Sequence, residues 1–157
     1  MARAHSTTII DAIIAALRAI DSSGNDSFTP SIVQRHDEDR SVEGPPWSII
    51  VRRTGEQRTR SRESSDWPIT LQVEIDVNVD TGPDSALPSD ESIAEASEDV
   101  FRALNAMDWV TLRAEFTSFI PTTFRDEDPE HPVAGFVAAV EIEYAVGYED
   151  PSTITNL

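Results

Sequence analysis

The chain has 157 residues, no cysteine, and 29 acidic against 12 basic side chains, for a net charge of −17. That length suits one domain with a core of its own, and the lack of cysteine excludes disulfides, zinc–thiolate sites and a thiol nucleophile. The acidity favours solubility and opposes general nucleic-acid binding.

The N-terminal run from Ile9 to Leu17 is interrupted by Asp11 and followed by Arg18 and Asp21. An amphipathic helix therefore fits it better than a signal peptide. Ile9, Ile10, Ile13, Ile14, Leu17 and Ile20 recur at steps of three and four, which predicts a helix over Thr7–Ile20 with Ser6 or Thr7 as N-cap. The breakers from Asp21 to Asp26 end it. From Phe28 to Glu43 the pattern is weak: Phe28, Ile32 and Val33 are candidate core residues, and Arg35 to Arg40 reads as a solvated loop.

Pro45-Pro46 leads into Trp47–Val51, a short strand. Arg52, Arg53, Arg58, Arg60 and Arg62 follow within eleven residues, while seven arginines cover the rest of the chain. This segment reads as a projecting hairpin or mobile loop between strands. All twelve basic residues are arginine, which suits a GC-rich genome, adaptation to high salt, or both. From Leu71 to Val79 apolar and polar residues alternate without a miss, the period of a strand with one dry face. Thr81–Asp84 is a turn.

Ser89 is a natural N-cap for a helix from Asp90 to about Met107, with Asp90 and Glu91 complementing the helix dipole. Ile93, Ala96, Val100, Phe101, Leu104 and Met107 form its apolar stripe. A strand with Val110, Leu112, Ala114, Phe116, Ser118 and Ile120 on one face is expected next. Another carries Phe136, Ala138, Val140, Ile142, Tyr144 and Val146 against Glu141 and Glu143. The acidic loop 126–132 lies between them, and residues 151–157 form a loose tail.

These elements predict a single α+β domain over 1–157: a mainly antiparallel sheet of about four strands with two helices packed on one face. Trp47, Trp67 and Trp109 fall at element edges and read as lids of the core. No stretch is long and apolar enough to span a bilayer as a helix.

Chemistry is weakly signalled. Asp126, Glu127, Asp128, Glu130 and His131 lack the spacing and glycine of a calcium loop, so a solvated acidic loop is the reading there, with weak cation binding or a partner contact as the alternatives. His5, His36 and His131 fall in no metal-ligand spacing. There is no nucleophile elbow, and Gly44-Pro45-Pro46 lacks the N–H groups of a phosphate loop. No catalytic, cofactor or metal residues are assigned, and an enzyme is not expected. For the arginine segment three readings stand: docking on an acidic surface of a neighbouring subunit or partner, phosphate contact with nucleic acid, or a solvated loop offsetting the net charge.

Over residues 7–150 the chain resembles the tail terminator, or tail-completion and head–tail joining, proteins of tailed bacteriophages. The resemblance rests on the helix Ile9-x-x-x-Ile13-x-x-x-Leu17, the short strand after Pro-Pro and the charged hairpin. It continues with the strand Leu71-x-Val73-x-Ile75-x-Val77, the helix Ser89–Met107 and the closing strand Val140-Glu141-Ile142-Glu143-Tyr144-x-Val146. It implies an α+β subunit of a homo-hexameric ring in the virion, assembled in the host cytoplasm. Such a ring caps the tail tube, ends its polymerisation and joins it to the neck or connector, while the genome passes without specific binding. Carried over by position, Arg52, Arg53, Arg58, Arg60 and Arg62 of the hairpin and Asp126, Glu127, Asp128 and Glu130 of the loop would meet neighbouring subunits, tube or neck. Head-completion and tail-tube proteins share some of these features. The alternatives are another neck or tube component, or a monomeric adaptor using the Arg52–Arg62 segment on nucleic acid or an acidic partner.

Overall fold

Two fifteen-residue strands, Asp66–Asp80 and Val133–Gly147, pair antiparallel along their whole length and form the spine of the molecule. The computed structural model describes residues 4–35, 47–59, 66–80, 89–125, 133–147 and 154–155. Its elements in chain order are α1 (His5–Arg18), β1 (Ile32–Arg35), β2 (Ser48–Arg58) and β3 (Asp66–Asp80), then α2 (Ser89–Asn105) and α3 (Trp109–Leu112). β4 (Glu115–Arg125), β5 (Val133–Gly147) and β6 (Ile154–Thr155) complete the chain. The sheet order is β1-β2-β3-β5-β4, with β6 pairing β5 beyond the end of β4. All neighbours are antiparallel except β1 and β2, so the sheet is mixed and the fold is α+β.

The alternation of β3 and β5 builds the core directly. In register, Ile49–Val77–Phe136, Val51–Ile75–Ala138, Leu71–Ile142 and Ile69–Tyr144 form rows on one face, all buried. Ile9, Ile10, Ile13 and Leu17 of α1 and Ile93, Ala96, Val100 and Leu104 of α2 join these rows in one cluster. The opposite face, here called the outer face, carries the intervening residues.

Several expectations change at the ends of elements. The first helix opens at His5, not Thr7, and neither Ser6 nor Thr7 caps it; its N-cap is Ala4, without a side-chain bond. Ser6 is instead buried beneath the helix start. Ile20 is buried just past the helix end. The second helix opens at Ser89 and closes at Asn105. On it, Phe101 is 44% exposed, its ring against Phe116 and Phe119 at 6.0 and 5.5 Å between centroids.

The stretch after Phe28 is more ordered than its composition suggests. Val33 and Phe28 are buried, and the four-residue β1 lies parallel to β2. Trp47 holds a left-handed backbone (φ 63°), a costly state for a bulky side chain. Its ring stacks on Phe28 at 4.8 Å, its N–H donates to Asn78 O, and its carbonyl accepts from Ser31 N. These contacts hold the strained residue in place, and Trp47, Trp67 and Trp109 all pack against the core as lids.

The strand expected from Val110 begins only at Glu115, and its first expected residues form a helical turn instead. Asp108 caps a single helical turn, accepting from Thr111 N at 3.1 Å and Thr111 Oγ1 at 2.7 Å, and Arg113 leaves it left-handed at φ 50°. Val110 is consequently 88% exposed. Within β4 a bulge between Phe116 and Ser118 shifts the register. It puts Phe116 and Phe119 on the helix side and sends Ile120 to the outer face, reversing the expected alternation after Phe116. Past residue 150, Ile154–Thr155 pairs with Ala145 and Val146, and Arg113 Nη1 donates to Ile154 O at 3.0 Å. That two-residue strand replaces the expected loose tail at those positions. The predicted turn at 81–84 and the loop 126–132 lie outside the described residues.

Candidate functional site

β2 continues through Arg58 as an antiparallel partner of β3, so Arg52, Arg53 and Arg58 are strand residues of a β2–β3 ribbon, which favours the hairpin over the mobile loop for this part of the segment. A bulge between Arg53 and Gly55 sets where they point. Before it, odd positions share the helix-side face; after it, Glu56 and Arg58 oppose Leu71 and Ile69 and take that face instead. The three described arginines therefore do not form one patch. Arg52 stands on the outer face, while Arg53 and Arg58 stand together on the helix side. Arg60, Arg62, Asp126, Glu127, Asp128 and Glu130 lie outside the described residues, as do His36 and His131.

Arg52 pairs with Asp76 across the β2–β3 ladder and reaches Glu74 at 3.3 Å. Asp76 is only 2% exposed. Beside it, Asn78 donates from Nδ2 to Ser48 Oγ at 3.1 Å, and both residues are buried. Arg52 is thus an internal counter-charge for a buried carboxylate, at a position where the family resemblance implied contact with neighbouring subunits, tube or neck.

On the helix side, Arg53 and Arg58 both approach Glu56, each at 3.6 Å, so two guanidiniums share one carboxylate. Arg53 Nη1 also donates to Ser6 Oγ at 3.3 Å, tying the ribbon to the start of α1. Tyr144 sits below: burial, then the Glu56 charge and hydrogen bond, push its phenol up to about 12. The ring of His5 meets it edge-on at 5.1 Å. Burial pulls the His5 pKa below its ordinary value, against the bond it makes to the Leu112 backbone, and the Arg113 charge adds to the lowering. Glu56 and Tyr144 are site members that sequence reasoning missed. Glu56 had one legible signal, its place three residues after Arg53 in the arginine segment.

At neutral pH this arrangement holds a protonated phenol and a neutral imidazole under a basic, half-exposed rim. Among the described residues no three metal-ligating side chains converge, and no described helix is long and apolar enough to cross a membrane. The cluster's evident capacity is to fix the β2–β3 ribbon on α1 and to present Arg53 and Arg58 beyond the helix end.

His5 predicts a pH effect. Its ordinary value is 6.5 and its folded value is lower, so the unfolded chain takes up the proton first as pH falls. Stability is fully present above about pH 6.5 and declines as pH drops below it toward the folded value. The urea midpoint is expected to fall between pH 7.5 and 5.5, and His5→Gln to flatten that slope. An unchanged slope in the variant would assign the effect to other groups.

The fold and these clusters define a two-layer α+β domain with a mixed sheet and an arginine-bearing ribbon. The chain matches no known protein-family profile, and no curated protein is similar enough to count as a relative.

Proposed function

We propose that the chain is a structural subunit of the tail-terminator kind. In this reading it assembles into a ring that caps a tail tube, stops its growth and joins it to the neck, without chemistry of its own. The observation that carries the reading is the one-sided layering of the domain. Both long helices pack on one face of a sheet whose outer face stays open around Ile120, which is 61% exposed, and whose eleven-residue β4 lies at the sheet edge. The uncovered part of a sheet face and a long edge strand are surfaces that neighbouring chains cover. The order of long elements, which carries the resemblance to terminator proteins, supports the same reading. The ribbon arginines contribute salt-sensitive contacts at the rim.

Electron microscopy of the purified protein at low and at molar salt tests this function. Closed rings of about six copies are the expected image at low salt for a cyclic head-to-tail assembly, with fewer or none at molar salt, where the ribbon contacts are screened. Open-ended tubes would replace the terminator by a tail-tube subunit. Single particles retained on DNA at moderate salt, with a steep loss at higher salt, would replace it by a nucleic-acid adaptor.

A further inference from the structure

The two faces of the sheet carry opposite charge at the ribbon end. On the helix side, Arg53 and Arg58 share Glu56, and both guanidiniums remain about half exposed. On the outer face at the same end, Gln72 pairs with Glu141, Thr70 with Glu143, and Glu143 with Glu115. Glu115 and Glu143 are exposed and directly opposite each other on an antiparallel ladder, where like charges destabilise the chain that bears them. Two rows further along this face, Asp76 Oδ1 is buried and has no hydrogen-bond partner among the described residues. The acidic rows are flanked by an apolar step, Ile120 opposite Ala139, both exposed.

Because the basic and acidic patches lie back to back, they cannot satisfy each other within one chain. A two-fold pairing through either patch would bring like charges together. Head-to-tail contact brings the basic side of one ribbon onto the acidic face of the next, an arrangement that relieves the Glu115–Glu143 repulsion.

We propose that the outer sheet face around Ile120, Ala139, Glu141, Glu143 and Glu115 is the docking surface for a second copy of this chain, which engages it with Arg53 and Arg58. The inference rests on the ring-forming reading above and assigns the surfaces of its subunit contact. Ile120 and Ala139 supply the apolar centre, and the glutamates orient the incoming guanidiniums, which pair well with carboxylates.

The test uses two reversed variants, Arg53→Glu/Arg58→Glu and Glu141→Arg/Glu143→Arg, with mass measured by light scattering and folding checked by circular dichroism. The wild type is expected to be assembled at low salt. Each variant alone is expected to fall to the mass of one chain, and a one-to-one mixture to regain the assembled mass through alternating copies. Since Arg53 also holds Ser6, Arg58→Glu with Glu143→Arg as its partner variant repeats the test on exposed side chains alone. Assembly of either reversed variant by itself, or a mixture that stays at single-chain mass while the wild type assembles, would overturn the assigned surface and leave the ring reading intact. A wild type that stays a single chain would overturn both.

Discussion

Replacing Gly135 by alanine is expected to cost about 3 kcal/mol, the upper part of the usual overpacking range, because the new methyl group has nowhere to go. Gly135 stands opposite Asn78 on β3 and Phe124 on β4, in the middle strand of three. A Cβ there would lie 1.9 Å from the Val77 carbonyl oxygen and 3.0 Å from the Phe124 ring. The first neighbour is backbone, so relief requires parting β3 from β5, the pair on which every other element is assembled. Gly55 is the natural control. Its Cβ would meet only the Gln72 side-chain amide, at 2.8 Å, and that group can swing aside. Urea unfolding of the two alanine variants should therefore separate them clearly, with Gly55→Ala within about 1 kcal/mol of the wild type. Equal midpoints would contradict the close approach at Gly135.

The second large effect concerns Arg52. Removing one partner of a buried ion pair leaves the other charge desolvated and uncompensated, at a cost of about 3–5 kcal/mol. Asp76 is the buried partner, and Arg52 is itself mostly covered. Arg52→Met is expected to lose that amount, a large part of the roughly 5–15 kcal/mol that holds a domain of this kind together. The double variant Arg52→Met/Asp76→Leu should recover most of it, since Ile50 and Val137 stand directly beside Asp76 in register and offer an apolar setting. A double variant no more stable than the single one would show that Asp76 has other essential partners. Loss of less than about 1 kcal/mol in Arg52→Met would place the pair in effective contact with water.

Much of the architecture was legible because two strands alternate over long stretches. Once Leu71–Val79 and Phe136–Val146 are read with period two, their pairing, the helix-covered face and the α+β class follow from the need to bury each apolar side. What was not legible has local causes. A bulge inserts one residue and reverses the parity of all that follow, and period counting has no means to register it. Hence the unexpected inward turn of Phe119 in β4, and the separation of Arg52 from Arg53 and Arg58 in β2. The helical turn Trp109–Leu112 depends on one capping carboxylate, Asp108, and β1 is too short to show a pattern. The candidate site suffered most from this, because a cluster of arginines in sequence reads as one patch, whereas strand geometry divides it between two faces. Glu56 and Tyr144 come together only through the β2–β3–β5 register, which no spacing within the chain displays.

The most direct measurement of the central claim, that the chain is built to assemble with copies of itself, is the mass of the purified protein by light scattering against concentration and salt. A discrete multiple of the 17.3 kDa chain at low salt, shrinking as salt screens the ribbon contacts, is the expected result. A mass of one chain at every concentration and salt would contradict it.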